Sequence, residues 1–190
     1  MKKLLSEIRA CEVCKEHLPL QPRPIISVTT KSKIILVSQA PGRKAHDHNK
    51  AWDDASGRKL REWLGVTDAD FFNADNFAVL PMGFCYPGKG KTGDLPPRKE
   101  CAPLWHDKVW GQFKNVKLII FIGKYAQDKY LKEISKKNLT ENIANFRDFL
   151  PKYFPLPHPS PVNRFWMSKN PWFEKEVLGE LRESVEKALD

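Results

Sequence analysis

A proline-rich segment near the carboxyl end of the chain carries the side chains best suited to chemistry. It reads PHPSPVNR and places His158 and Ser160 between prolines. Prolines fix the backbone and remove N–H donors, so the segment is predicted to be a rigid exposed loop, not a helix or a central strand. An imidazole held on such a loop can donate a hydrogen bond to an atom that becomes negative during a reaction. A structural turn with a solvated histidine is the alternative interpretation.

The same loop has groups that suit a nucleic acid backbone. Ser160 and Arg164 can donate hydrogen bonds to phosphate, and proline-rich wedges can press into a DNA minor groove. The predicted DNA contacts are Pro159, Ser160, Pro161, Asn163 and Arg164.

The four cysteines have a spacing that could hold a metal centre. Cys11 and Cys14 form a CxxC pair, whereas Cys85 and Cys101 lie far downstream. Four thiolates can hold a four-iron four-sulfur cluster or a tetrahedral zinc ion. Inert free thiols are the remaining alternative, because unpaired cysteines are often simply buried.

Strands that alternate with helices must position these groups. Apolar runs predict strands at 33–38, 77–80, 118–122 and 153–156. Helices are predicted at 4–10, 56–65, 98–110, 124–132, 140–149 and 172–189, with Ser56 as the N-cap of the second helix. The alternation predicts one domain over residues 1–190, a three-layer α/β/α sandwich around a central, largely parallel sheet. Such sheets bind ligands beyond the carboxyl ends of their strands, where the loops 39–52, 81–95 and 157–164 are expected.

The composition favours a nucleic acid partner. Thirty-two Lys and Arg against 23 Asp and Glu give a net charge of +9 and a pI near 9.4. A basic surface of this kind attracts phosphate backbones through counterion release. The apolar stretch at the N-terminus is too short and too charged for a signal peptide. No apolar run of the sequence is long enough to span a membrane. A cytoplasmic, monomeric protein is expected.

The motifs, taken in order, resemble those of uracil-DNA glycosylases, and in particular the branch called family 4. HPSP resembles the histidine-containing motif of that family, and SQAPG after the first strand resembles its GEAPG loop. The Gln of SQAPG is also similar to that of the GQDPYH motif of another branch. KAWDDASGRKL resembles the GRPF segment and the helix start that follows it. The resemblance covers nearly the whole chain, from LLSEIRAC to HPSPVNR.

The resemblance implies roles for individual residues. His158 would stabilise charge on a departing base, Trp52 would stack on a flipped base, and backbone amides near Gln39 and Ala40 would contact its carbonyl. Pro81 stands where the family has a base-reading Asn, when LPMGFC is aligned on its cysteine. The resemblance also implies a structural four-iron four-sulfur cluster on Cys11, Cys14, Cys85 and Cys101, with zinc as the alternative.

One departure from the family concerns the general base. Gln39 replaces the acid of GEAPG and cannot accept a proton as a base, although it can still orient water. The loop that follows offers other candidates for the base, which are His46, Asp47, Asp53 and Asp54.

The leading hypothesis is a base-excision repair enzyme that hydrolyses the N-glycosidic bond of uracil or a related deaminated base in DNA. The missing acid and the missing Asn favour an alternative, a weak or inactive member that binds DNA or a modified nucleobase. A metal-stabilised interaction module unrelated to DNA would leave the basic charge and the HPSP loop unexplained.

Overall fold

The fold is built on a four-stranded, all-parallel sheet, seen in a computed structural model that describes all 190 residues. The strands are β1 (Ile34–Val37), β2 (Phe77–Val79), β3 (Leu118–Ile122) and β4 (Tyr153–Leu156), in the spatial order β2-β1-β3-β4. β1 pairs in parallel with both β2 and β3, and β3 pairs in parallel with β4. Every residue of β1, β2 and β3 is buried, as expected for strands that helices cover on both faces.

Nine α-helices surround the sheet. They are α1 (Lys2–Arg9), α2 (Arg43–His48), α3 (Ala55–Leu64), α4 (Asp68–Phe72), α5 (Cys101–Trp110), α6 (Lys124–Tyr130), α7 (Leu139–Ala144), α8 (Arg164–Lys169) and α9 (Leu178–Leu189). Short 3-10 turns span Lys15–His17, Phe146–Phe149 and Pro161–Asn163, and a π-helical turn spans Phe173–Val177. No helix combines the length and the apolar character that crossing a bilayer requires.

Two apolar cores lie on opposite faces of the sheet. Ile34 and Leu36 of β1 point into one core, which α3 and α9 cover, and Ile35 and Val37 point into the other, which α1 and α5 cover. This alternation follows from the two-residue period of a strand. The predicted three-layer α/β/α fold with a parallel sheet is therefore confirmed.

Several predicted boundaries and elements differ from the structure. The helix predicted at 140–149 is two pieces, α7 and a 3-10 turn, and the predicted helix 172–189 becomes regular only at Leu178. Asp54, and not Ser56, caps α3, because its carboxylate accepts a hydrogen bond from the Gly57 amide at 2.8 Å. The sequence analysis missed α2, α4 and α8, which have six residues or fewer and therefore show too little periodicity.

A buried amide pair joins the carboxyl ends of β3 and β4. Gln127 of α6 donates hydrogen bonds to the carbonyls of Phe121 and Leu156, at 3.2 and 3.0 Å. Its own amide oxygen accepts a hydrogen bond from Asn142 of α7 at 3.0 Å. Gln127 and Asn142 are 1% and 2% exposed, so water cannot replace these partners. The pair therefore fixes the point at which the PHPSP loop leaves β4.

We expect Gln127→Leu and Asn142→Leu each to lower the free energy of unfolding by about 1–3 kcal/mol, because each leaves a buried amide without its partner. The double variant removes both groups and should cost less than the sum of the single losses. Urea denaturation of the wild type, the two single variants and the double variant measures this double-mutant cycle. Additive losses would show that the two amides do not act as a pair.

Candidate active site

A cleft of about 420 Å³ lies at the carboxyl edge of the sheet. The SQAPG loop after β1 forms one wall, the PHPSP loop after β4 forms another, and Pro81 after β2 lies between them. The volume is within the range of small-ligand pockets. The predicted site residues that line it are Gln39, Ala40, Trp52, Pro81, His158, Ser160 and Asn163. Three segments far apart in sequence thus meet in one pocket.

Trp52 and His158 contact each other across the cleft. Their ring centroids are 5.6 Å apart and the ring planes differ by 29°. A base held between two rings needs two contacts of about 3.5 Å each, which is more than this separation. Trp52 is also only 8% exposed and belongs to the core under α3. Trp52 therefore supports the imidazole, and a stacking role toward a base requires the rings to separate.

The backbone of Trp52 is held in a conformation that non-glycine residues rarely adopt. Its φ is 60°, and its carbonyl accepts a hydrogen bond from the Arg61 guanidinium at 3.1 Å. Gly57 packs directly against that carbonyl, since a Cβ at position 57 would lie 1.7 Å from the oxygen. The start of α3 thus sets the position of the Trp52 ring.

His158 is held as a neutral imidazole. Burial lowers its pKa to about 4, and the nearby charge of Asp54 opposes this shift. A neutral ring has one N–H donor and one acceptor at pH 7. Asn163 donates a hydrogen bond to the His158 carbonyl at 2.7 Å, whereas the ring nitrogens have no hydrogen-bond partner in the chain. The ring can therefore offer its donor to a ligand.

The SQAPG loop also presents unused donors. The carbonyls of Ser38 and Gln39 accept hydrogen bonds from Met82 and Gly83, at 2.7 and 2.9 Å, which fixes the loop against the segment after β2. The amides of Gln39 and Ala40 have no such partner, and neither has the Gln39 side chain. Two backbone N–H groups on a fixed loop form a donor site for a carbonyl oxygen.

The Pro81 side of the cleft is held from behind by a buried histidine. His106 is fully buried, and its Nε2 donates to the Pro81 carbonyl at 3.0 Å. Its Nδ1 is hydrogen-bonded to the Tyr130 hydroxyl, which also accepts from Trp110. A proline ring has no side-chain donor or acceptor, so this wall cannot replace a base-reading Asn.

A comparison of the sequence with known protein families decides the assignment. The profile of the uracil DNA glycosylase superfamily matches residues 26–182, which include every loop of the cleft. The chain belongs to the uracil DNA glycosylase superfamily. Membership is thus confirmed. The superfamily acts on DNA, and glycosylase activity is the general activity that membership in it implies.

A solved structure is also similar to this superfamily member. It is the solution NMR structure of a protein from Methanosarcina acetivorans whose assignment as a uracil DNA glycosylase is itself provisional. The two sequences are 13% identical, the match covers 84% of this chain and 94% of that chain, and the TM-score is 0.49.

A second groove of about 450 Å³ runs beside the glycosylase cleft and shares the HPSP loop with it. The basic side chains in it are Arg58, Lys59 and Arg164, and all three residues are exposed. Ser160, Pro161 and Asn163 also line it, as the sequence predicts for DNA contacts. Pro159 is buried, so it can stiffen the loop but offers little surface to DNA.

The candidate bases proposed from sequence lie outside the cleft, with one exception. His46 is buried against Tyr86 and does not line the cleft; burial and the Arg23 charge lower its pKa. Asp47 is paired with Arg43, and Asp53 with His48. Asp54 does line the cleft, but its carboxylate is used to cap α3. The prediction of His46 as a catalytic residue therefore finds no support in the geometry.

The sequence analysis missed a cleft wall formed by residues 92–94. Thr92, Gly93 and Asp94 line the cleft, and Asp94 lies beside Gly42 of the SQAPG loop. Only their place in the predicted loop 81–95 marked them, and the Gly and Lys residues there equally fit a solvated loop.

All four cysteines line one cavity, separate from the cleft, together with Phe84, Arg98 and Trp105. The donor set is entirely sulfur, which suits an iron-sulfur cluster or zinc. The Phe84 amide donates to the Cys101 sulfur at 3.4 Å, a contact typical of ligating thiolates. No three Cys, His, Asp or Glu side chains have an arrangement that could hold a single metal ion.

Burial also affects the protonation of these thiols. Burial, with a smaller contribution from the neighbouring cysteines, raises the pKa of Cys85 to about 11 and that of Cys101 to about 12. Without a cation the two thiols stay protonated at pH 7. Cluster binding would have to displace these protons, as thiolate ligation does generally.

We expect Gly57→Ala to lower the free energy of unfolding by about 3 kcal/mol, because its Cβ would collide with the Trp52 carbonyl. Gly179→Ala in α9 is the matched control: no heavy atom lies within 4 Å of its new Cβ, so it should stabilise by about 0.5–1 kcal/mol. Urea denaturation compares the two. Equal effects would mean that Gly57 does not constrain Trp52.

Proposed function

We propose that this protein is a DNA glycosylase that hydrolyses the N-glycosidic bond of uracil or a related deaminated base. The observation that carries the proposal is the meeting of a neutral His158 and the free amides of Gln39 and Ala40 in one base-sized cleft. Both kinds of donor suit the oxygen atoms of a flipped pyrimidine or purine base.

His158 has the properties that leaving-group stabilisation requires. As the glycosidic bond breaks, negative charge accumulates on the base, and a fixed donor at the base oxygen lowers the barrier. The imidazole is already oriented by Trp52 on its face and by Asn163 at its carbonyl. Little reorganisation is then needed when the charge develops.

The groove beside the cleft provides a surface for the DNA strand. Arg58, Lys59 and Arg164 can contact phosphates on either side of a flipped nucleotide. Val162 and Phe165, which follow the HPSP motif, are 69% and 67% exposed. Such apolar side chains can enter the gap that a flipped base leaves in the stack. The groove therefore suits DNA that is bent and opened at the lesion.

A second candidate is a protein that binds DNA or a modified nucleobase without cleaving it. Two observations favour it: Gln39 cannot act as a base, and Pro81 offers no side-chain hydrogen bond to a base edge. The missing Asn also widens the range of bases that the cleft can accept, because no fixed amide selects the uracil edge. Hypoxanthine, xanthine and alkylated bases therefore belong among the substrates to be tested.

We also propose that Cys11, Cys14, Cys85 and Cys101 hold a four-iron four-sulfur cluster, as in the family 4 branch. The shared cavity and the Phe84 amide contact support this assignment. When bound, the cluster would supply structural cross-linking and no redox step. It would tie the segment after α1 to the loop after β2 and to the start of α5.

We expect His158→Ala to reduce cleavage about a hundredfold to a thousandfold, because the leaving base loses its donor. Gln39→Ala should cost less, because a neutral amide can only orient water. Single-turnover assays on single- and double-stranded oligonucleotides carrying each base measure both variants. His48→Ala, an exposed histidine outside the cleft, is the control.

Absence of cleavage by the wild-type protein on every base, with binding retained, would reject the glycosylase proposal in favour of the second candidate. An equal or larger loss in Gln39→Ala would show that the SQAPG loop, and not His158, carries the chemistry.

We expect anaerobically purified protein to contain iron and acid-labile sulfide in equal amounts. Cys101→Ser should lose both and unfold at lower urea, because the cross-link between distant segments is lost. Metal analysis and urea denaturation test this expectation. Stoichiometric zinc, or neither metal, would contradict the cluster.

A further inference from the structure

Residues 88–95 form a hairpin that projects from the segment after β2. The amide of Gly90 donates to the Gly93 carbonyl at 2.6 Å, and that of Leu95 donates to the Gly88 carbonyl at 2.8 Å. Gly88 and Gly93 have φ values of 108° and 154°, the region that favours glycine. The backbones of Lys89 and Asp94 form an isolated antiparallel β-bridge across the hairpin. The backbone of this segment therefore has a defined shape, and the position of Asp94 follows from it.

The hairpin places Asp94, an exposed residue, in the lining of the cleft. A Cβ at Gly42 would lie 3.4 Å from Asp94 Oδ2, which places the carboxylate beside the last residue of SQAPG. His158 and Gln39 line the same cleft. A nucleotide in the cleft would thus meet an imidazole donor on one wall and a carboxylate on another.

The Asp94 carboxylate is the one acid in the cleft without another role. The cleft-lining carboxylates are those of Asp54 and Asp94. Asp54 accepts a hydrogen bond from the Gly57 amide at the start of α3, whereas Asp94 has no side-chain hydrogen bond and no ion pair. A free acceptor at this place is available to a water molecule.

We propose that Asp94 is the general base of the reaction, supplied by the hairpin in place of the acid that the SQAPG loop lacks. This inference rests on the proposed glycosylase function. Gln39 would then help to orient the water that Asp94 deprotonates.

The step balances without any further reactant. The water oxygen forms a bond to C1′ of the sugar while the C1′–N bond breaks, and the bonding pair leaves with the base. One water proton passes to the Asp94 carboxylate, and His158 donates a hydrogen bond to the charged base. The products are an abasic sugar with a C1′ hydroxyl and a base that takes up a proton from Asp94 or solvent.

The electrostatics of the hairpin agree with this role. Burial raises the pKa of the Asp94 carboxyl above its ordinary value; Lys89 opposes the rise and Asp54 adds to it. A carboxylate with a raised pKa is a stronger base, yet it stays ionised at neutral pH unless the rise is large. Because only the ionised form accepts a proton, activity should be present above this pKa and fall as the pH drops through it.

The first experiment compares single-turnover cleavage by wild type, Asp94→Asn and Asp53→Asn. Asp53 follows Trp52 in sequence but lies outside the cleft, and its side chain is 42% exposed. Its variant therefore controls for the loss of one negative charge near DNA. We expect Asp94→Asn to lose about a hundredfold or more on every cleaved base and to lose the acidic limb of the pH profile. Asp53→Asn should behave as wild type.

Two outcomes of this comparison would overturn the inference. Asp94→Asn rates equal to those of Asp53→Asn would show that the carboxylate takes no part in the reaction. A loss confined to one base would show that Asp94 reads the base edge and does not activate water.

The second experiment separates this inference from the proposed function, because it needs no cleavage. It compares the binding affinity for two DNA duplexes, which carry either a cationic pyrrolidine or a neutral tetrahydrofuran in place of the target sugar. A carboxylate near C1′ should favour the cation, and Asp94→Asn should reduce that preference on the order of tenfold, whereas Asp53→Asn should not. An unchanged preference in Asp94→Asn would reject the inference even if wild type cleaves DNA. Failure of wild type to cleave would reject the proposed function and the role of general base, whereas a retained preference for the cation would still place the Asp94 carboxylate near C1′.

Discussion

Parallel pairing of β1 with both of its neighbours is the constraint on which the rest of the structure depends. Together with the parallel pairing of β3 and β4, it places the ends of β1, β2 and β4 at one edge of the sheet, so the loops that follow them meet. The chain after β2 then continues to bond with the chain after β1, through the carbonyls of Ser38 and Gln39. Those bonds use the carbonyls of SQAPG and leave its amides free. A site built of amide donors is therefore a direct product of the sheet.

The cleft is held by contacts that work against local preference. Trp52 has a left-handed backbone because the Arg61 guanidinium and Gly57 enclose its carbonyl, and His158 stays neutral because it is packed against the Trp52 ring. Both features cost free energy that the apolar core must offset. The result is an imidazole whose N–H donor is oriented before a ligand binds. Strain and desolvation at this point thus serve the same end, a fixed donor.

The sequence predicts the scaffold better than it predicts the functional groups. Continuous aliphatic runs predict β1 and β3, because a strand that is buried on both faces has apolar residues at every position. The order of the motifs predicts that His158, Gln39 and Trp52 share a cleft. Asp94 could not be found in this way, since its approach to Gly42 depends on how the hairpin folds back across the sheet edge. Likewise, nothing local separates His46, which packs against Tyr86, from a residue that faces the cleft. Tertiary packing determines which of these side chains face the cleft, and no local pattern in a single sequence predicts that packing.

The contact between Trp52 and His158 has a consequence for the synthesis of the chain. The two rings are far apart in sequence, because His158 follows Trp52 by more than a hundred residues. Chains emerge N-terminus first at about 5–20 residues per second, so SQAPG and Trp52 wait seconds for their partner. During that interval the Trp52 ring lacks its imidazole neighbour and the cleft lacks one wall. Completion of the cleft therefore depends on synthesis of the PHPSP loop, and not on folding of the SQAPG side alone.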